Sequence, residues 1–152
     1  MPQYAGAHQV SGRITFHACS KTTAGFLIHS EPFVSLDEDA DTASLGARAM
    51  EVLSSYRTNI EPPEWSSQEW KKLRSAHYKA IGVRSERELM AKGRFIDLDQ
   101  DNGFITVTPS LNAGKRGNDK GFVPLPDREI RVELGDVASV GDAILEAFRR
   151  CT

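Results

Sequence analysis

Carboxylates alternate along Asp97-Leu98-Asp99-Gln100-Asp101-Asn102-Gly103, and alternate acids are how a loop offers hard oxygen ligands to calcium. The spacing then departs from a calcium loop. Asn102 stands where the sharp turn wants Gly, and Thr108 stands where a bidentate Glu would close the shell. The flanks have strand composition, whereas such loops lie between helices, so the segment reads as the acidic tip of a hairpin. His17-Ala18-Cys19 sets an imidazole and a thiol on one face of an extended segment, two ligands that zinc takes. No second pair stands at ligand spacing: His8 and His29 are isolated, and His77 falls on an apolar helical face as a hydrogen-bonded, partly buried ring. Gly114 to Gly121 combines glycines with Lys115, Arg116 and Lys120 and can cradle phosphate with backbone amides. It lacks the P-loop spacing and no helix follows it, so it reads as a solvated loop. Neither metal nor cofactor is expected from these motifs. There is no G-x-S-x-G elbow, H-E-x-x-H, C-x-x-C or paired cysteine-histidine signature. The expectation is a non-enzyme; a hydrolase with dispersed residues would need an internal pocket holding His17, His29 or His77 with a shifted pKa.

The elements that must position these residues follow from periodicity. Gln9 to Cys19 alternates, with Val10, Ile14, Phe16 and Ala18 on one side and Gln9, Ser11, Arg13, Thr15 and His17 on the other, the period of a half-buried strand. Gly25 to His29 is an apolar run suited to a central strand, with Lys21 to Ala24 as the connection of a hairpin. Asp41 opens DTASLGARAMEVL and Asp136 opens DVASVGDAILEAF, two near-copies that each follow a strand-like segment, Phe33 to Leu36 and Ile130 to Leu134. Both aspartates suit an N-cap. Leu45, Ala49, Val52, Leu53 and Tyr56 mark one face of the first helix, and Val140, Ile144, Ala147, Phe148 and Cys151 mark one face of the second. Gly46 and Gly141 each cost about 1 kcal/mol inside a helix, which predicts a close approach of both helices to the sheet. Ser66 with Glu69 forms a capping box for a helix bearing Trp70, Leu73, His77 and Ile81 and ending at Gly82, and Ser85 with Glu88 forms another for a short helix ending near Gly93. Phe95–Leu98 and Phe104–Val107 flank Asn102-Gly103, a strong hairpin signal. Residues 110–121 read as a polar, Gly-rich loop, and 122–134 as a Pro-interrupted edge followed by a strand.

Together these predict a single α+β domain spanning 1–152, a mostly antiparallel sheet with helices packed on it and a strand-helix duplication inside it. The chain of 152 residues is long enough for one core and short for two. Cys19 and Cys151 are its two cysteines, too few for a disulfide framework, and they read as packing residues. The N-terminal MPQYAGAHQVSGR lacks a basic lead and an apolar core, and no run of roughly 18 apolar residues occurs, so a cytoplasmic protein without a membrane span is expected.

Formal net charge is −2, from 19 basic and 21 acidic side chains, so no whole-chain field argues for nucleic acid or membranes. The charges are nevertheless sorted. Lys71, Lys72, Arg74, Lys79, Arg84, Arg87, Lys92 and Arg94 make the middle basic, with Trp65, Trp70 and Tyr78 nearby. That mixture can bind RNA by phosphate contacts and stacking; the favoured reading is that Trp70 and Leu73 face the core and the cations form a solvated face. Acids bunch at Asp37, Glu38, Asp39 and Asp41, again at Asp97, Asp99 and Asp101, and more loosely at Asp127, Glu129, Glu133 and Asp136. If the duplicated units lie side by side, the first and third runs come together. Such patches suit a basic protein partner, and they equally suit helix N-termini and turns that collect acids for their dipoles.

The order of elements and strings resembles the immunity proteins of bacterial contact-dependent growth inhibition (CDI) systems over nearly the whole chain. The resemblance rests on Tyr4 and the first strand pair, the Leu36-Asp37 run leading into the Leu45-Gly46 helix, and the Trp70 helix. It continues through Ile105 to Pro109 (ITVTP), the polar loop, Val123-Pro124 and the last helix ending in Arg150-Cys151. It implies a non-enzymatic protein that binds the C-terminal toxin domain of its own system's exported effector and neutralises it inside the producing cell. Many such toxins are nucleases, often acting on transfer RNA. The family has no catalytic motif to carry over, and its contact residues vary between pairs. The acidic runs suggest the toxin-facing surface, with Asp37, Glu38, Asp39, Asp97, Asp99 and Asp101 contributing and direct nucleic-acid binding not expected. The alternative is a small RNA-binding module using Lys71, Lys72, Arg74 and Lys79.

Overall fold

The computed structural model describes residues 2–114 and 121–152, so the cations of the 115–120 loop lie outside the described residues. The chain runs β1 (Gln3–Val10), β2 (Arg13–Thr22), β3 (Leu27–Asp37), α1 (Thr42–Ser54), β4 (Arg57–Ile60), α2 (Gln68–Ile81), α3 (Glu86–Lys92), β5 (Arg94–Asp101), β6 (Phe104–Asn112), β7 (Phe122–Pro124), β8 (Ile130–Glu133) and α4 (Val137–Arg150). The strands form one eight-stranded sheet in the order β3-β2-β1-β5-β6-β7, with β4 added to β2 and β8 added to β6. Every pairing is antiparallel except the short β2–β4 contact. The expected α+β class with a mostly antiparallel sheet is what the chain adopts.

The alternation across Gln9 to Cys19 is two strands rather than one. Ser11 (φ 48°) and Gly12 (φ 81°) both take positive φ and turn the chain back on itself, so β1 pairs β2 with Val10 opposite Arg13. A two-residue turn of this kind keeps the alternating pattern running through it, which hides the hairpin. Val10 consequently packs with Ile81, Val83 and Leu89, while Ile14, Phe16 and Ala18 enter the main core on the opposite face. The second hairpin, at Asn102 (φ 52°) and Gly103 (φ 81°), falls where its dipeptide predicts and repeats the geometry of the first. The apolar run at 25–29 belongs to an edge strand instead of a central one, because β3 pairs β2 alone.

One sheet face is closed by α1 and α4. Ile14, Phe16, Ile96, Leu98, Ile105 and Val107 from the strands meet Leu45, Val52, Leu53, Ile144 and Phe148 from the helices. Each fully buried side chain of this size contributes roughly 1.5–3 kcal/mol of hydrophobic free energy. Asp41 caps α1 through the Ser44 amide (2.7 Å), and Asp136 caps α4 through the Ala138 amide (3.0 Å). The glycines in these helices meet a partner other than the sheet. A Cβ on Gly46 would stand 1.8 Å from the Val137 carbonyl oxygen, and one on Gly141 would stand 1.9 Å from that of Thr42. The two helices therefore cross at contact distance against each other.

Among the described residues, α2 and α3 cover the other face from its Val10 end as far as the histidines of β1, β2 and β3. The carbonyl of Ala80, in the last turn of α2, accepts from Arg13 Nη1 (3.1 Å) and the Ser35 hydroxyl (2.8 Å), which anchors that turn to β2 and β3. The cap of α2 is Ser67, one residue later than its capping-box pattern suggests, and Gly82 ends it at φ 94°. Ser85 caps α3 as expected. Toward the Gln3 end the same face stays open: Tyr4, Asp99, Thr106 and Thr108 are half-buried, and Asp97 and Asp101 are exposed.

Candidate functional site

The acidic residues singled out in the sequence occupy two separate places. Asp37 lies opposite Arg13, which lies opposite Val10. Asp99 lies opposite Tyr4. Six residue steps along the strand from Val10 to Tyr4 put roughly 20 Å between these rows, in addition to three strand spacings. Glu38 sits near Asp37 and accepts from the Gln9 amide at 3.1 Å; Asp39 follows in the turn before α1. Asp97, Asp99 and Asp101 point to one face of β5, since alternate residues of a strand share a face. The first and third acidic runs meet only at the adjoining N-termini of α1 and α4. There Asp41 and Asp136 are used as caps, and hydrogen bonds to those backbone amides and neighbouring serines lower both carboxyl pKa values.

The β5 row is electrostatically strained. The Asp97 carboxyl is pushed up to about 6, first by the protein crowded round it and then by Asp99. Asp97 still presents much of its surface to solvent. Asp99 is raised as well, by burial and then by Glu129 and Asp101, with Arg131 opposing. Tyr4 and Tyr56 meet edge to face at 5.5 Å, and Arg131 lies over the Phe104 ring at 4.0 Å. Among the described residues, the open end of the sheet thus offers carboxylates that Arg131 offsets only in part, beside two tyrosines, a surface that a cationic partner would relieve.

The basic region is a solvated outer face of α2. Lys71, Lys72, Arg74 and Lys79 are exposed while Trp70 and Leu73 are half-buried. Arg74 spends its guanidinium on the Tyr78 hydroxyl at 2.6 Å. Beside this helix the sequence reading missed an apolar patch: Phe26, Leu27 and Trp65 are exposed, and Trp65 meets Trp70 edge to face at 4.8 Å.

A second finding overturns the isolation of His8 and His29. All four histidines of the chain converge from four elements, His8 on β1, His17 on β2, His29 on β3 and His77 on α2. Ring centroids are 5.4 Å apart for His8 and His17, 4.9 Å for His17 and His77, and 3.9 Å for His17 and His29. Phe33 stacks on His77 at 4.4 Å. Gly6 makes room for the group, because a Cβ there would stand 2.7 Å from His17 Nε2. A cavity of about 240 Å³ adjoins it, lined by His8, His29, Trp70, His77, Glu86 and Phe122 among others. Among the described residues, His8 Nδ1, both ring nitrogens of His17 and His77 Nε2 have no hydrogen-bond partner. An interior polar group left unpaired costs roughly 1–3 kcal/mol. Burial holds all four rings neutral, with mutual repulsion adding to it at His8, His17 and His77. The pKa falls to about 4 at His29 and about 3 at His77, and well below the usual value at His8 and His17. His29 has exposed surface, and it lines the cavity.

The pocket a hydrolase would need is therefore present, with shifted histidines in it, but its chemistry is poor. Bases with pKa values of about 4 and 3 are weak at neutral pH. Cys19 is a buried thiol pushed up to about 12, mainly by burial and then by Asp97, which keeps it protonated and unreactive. The signal for this cluster was in the first hairpin. With the turn at Ser11-Gly12, His8 falls opposite Thr15 and on the same face as His17.

A family model described as CDI immunity protein matches residues 8–151. No curated protein matches the sequence. Among solved structures, a Neisseria meningitidis protein of unknown function is similar with a TM-score of 0.79 at 16% identity, covering 100% of this chain and 96% of that one. The CdiA-CT/CdiI toxin and immunity complex from Yersinia pseudotuberculosis contains a chain similar with a TM-score of 0.73 at 14% identity, covering 100% of this chain and 98% of that one. At these identities the likeness is one of fold. Among the described residues no helix is long and apolar enough to cross a membrane.

Proposed function

Because the chain belongs to the CDI immunity protein family, we propose that it binds the C-terminal toxin domain of its cognate effector and neutralises it as a non-catalytic inhibitor in the producing cell's cytoplasm. The match to the family model over 8–151 carries this reading. The toxin is a nuclease, with transfer RNA as its substrate class, and its nucleic-acid cleft supplies the positive charge that the strained β5 carboxylates lack.

The contact surface centres on Asp97, Asp99 and Asp101 at the open end of the sheet, with Tyr4 and Tyr56 as aromatic anchors of the kind that dominate binding energy. Asp37, Glu38 and Asp39 form its rim, steering approach at longer range. A footprint of roughly 800 Å² per partner is broad enough to reach both places.

The test is colony survival when the toxin domain encoded beside this chain's gene is induced with and without the chain, and with a non-cognate toxin as control. Rescue from the cognate toxin alone is expected. No rescue despite soluble expression, together with steeply salt-dependent RNA binding by the purified chain, would replace this reading with an RNA-binding module using Lys71, Lys72, Arg74 and Lys79.

A further inference from the structure

We propose that His8, His17 and His77 form a zinc site that ties α2 to the two strands β1 and β2. One ligand nitrogen from each of the three buried rings lies within 4.8 Å of the other two. That spacing needs only a modest inward movement to surround an ion whose nitrogen ligands stand at about 2.0–2.1 Å.

The rings are prepared for this in three ways. They are buried, the three residues being 3%, 0% and 7% exposed. They carry nitrogens that no described residue satisfies, including both on His17. Their surroundings also favour neutral imidazole, the form that binds metal, since a ligand nitrogen must give up its proton. A purely structural cluster would instead pair these nitrogens with hydroxyls or carbonyls, as Thr15 and Ser35 pair on the same face at 2.8 Å.

The donor set selects the ion. Three imidazoles suit zinc and other late transition ions, and they exclude calcium and magnesium, which take oxygen ligands. Three protein ligands leave a fourth position. His8 and His77 also line the 240 Å³ cavity, which has room for a water to fill that position. Glu86 lines the same cavity. Gly6, whose missing Cβ admits the His17 ring, and Phe33, stacked on His77, hold two of the ligands in place. The consequence is mechanical. His77 comes from α2 and the other two ligands from β1 and β2, so an ion there joins the helix to the strands in addition to the Phe33 stacking and the bonds to the Ala80 carbonyl.

The test uses the full chain, stripped with chelator and titrated with Zn²⁺, and then with Co²⁺ as a spectroscopic probe. One Zn²⁺ per chain is expected, with a rise in melting temperature and a Co²⁺ visible spectrum of four-coordinate intensity. The ¹⁵N ring resonances of His8, His17 and His77 should shift together. His17→Ala and His77→Phe should each weaken binding by at least roughly a hundredfold. The ring resonances of the unmutated chain decide the matter if either variant fails to fold. The proposal is overturned by no stoichiometric binding, by binding that leaves these three rings unmoved, or by binding that moves to Asp97 and its neighbours.

Discussion

Gly46 and Gly141 occupy the same place in two helices that pack against each other, and each is open to the other's backbone. The missing Cβ of Gly46 would fall on the Val137 carbonyl, and that of Gly141 on the Thr42 carbonyl. The relation extends beyond the glycines. Ser11-Gly12 and Asn102-Gly103 make the same turn. The Glu38 amide donates to the Gly12 carbonyl and the Leu134 amide donates to that of Gly103, both at 2.9 Å. β3 and β8 extend the sheet on opposite sides of the β1–β5 pair, and each returns a helix across its centre.

Gly46→Ala and Gly141→Ala should each destabilise the fold. Helix propensity alone favours alanine by about 1 kcal/mol. A methyl placed under 2 Å from a backbone oxygen forces the helices apart, and overpacking of this kind costs typically 1–3 kcal/mol or more. Urea denaturation should show a net loss for either variant, reaching about 2 kcal/mol where the overpacking cost is about 3. A gain in stability would mean that the helices do not meet at this point.

Charge reversal should separate the centre of the toxin surface from its rim. Asp97→Lys with Asp99→Lys should slow association with the toxin domain and speed dissociation, because both stand on the open face beside Tyr4. Reversal of Asp37, Glu38 and Asp39 should lower the association rate alone, by about tenfold at low salt and less as salt screens it. Stopped-flow kinetics at two ionic strengths would distinguish them. Equal, salt-insensitive kinetics in both variants would remove the acidic surface from the interface.

Local signals in the sequence were reliable where the physics is local. Asp41, Asp136 and Ser85 cap their helices, Gly82 ends α2, and Asn102-Gly103 turns the second hairpin. What spacing concealed depends on register. Ser11-Gly12 was absorbed into one strand because a two-residue turn preserves alternation, and the partnership of His8 with His17 went with it. Joining His29 and His77 to them requires β3 to be placed at the edge and α2 to be docked through Ala80, neither of which periodicity encodes. The acidic runs were visible as composition, but their division into two patches follows from the sheet order.

Cys19 should resist thiol reagents in the folded protein. Its thiol is buried and pushed up to about 12, so the reactive thiolate is scarce at pH 8. Cys151 is buried as well, with its Sγ 3.4 Å from the Phe95 carbonyl. Ellman's reagent should modify the native chain at least roughly a hundredfold more slowly than the urea-unfolded chain. Fast reaction of either thiol in the native state would show that the sheet or the end of α4 opens readily.

The histidine cluster should make the metal-free fold sensitive to mild acid. In the unfolded chain each imidazole titrates near 6.5, whereas burial depresses the folded values, to about 4 at His29 and about 3 at His77. Below about pH 6.5 the unfolded chain takes up protons that the folded chain refuses. Stability is therefore greatest above that pH and falls as pH drops toward the folded values. Each ring that stays neutral contributes a slope of up to about 1.4 kcal/mol per pH unit. The fully enclosed His17 should approach that figure, and His29, with its surface on the cavity, should fall short of it. Asp97, raised to about 6, and Asp99, also raised, work in the opposite sense, since each favours the folded state as it protonates, but two partly solvated acids offset only part of several buried rings. The urea midpoint of chelator-treated protein should fall steadily from pH 7 to pH 5, and His17→Phe should flatten the decline if it folds. A midpoint that holds level or rises over that range would show that the rings are solvated and that the cluster is not closed.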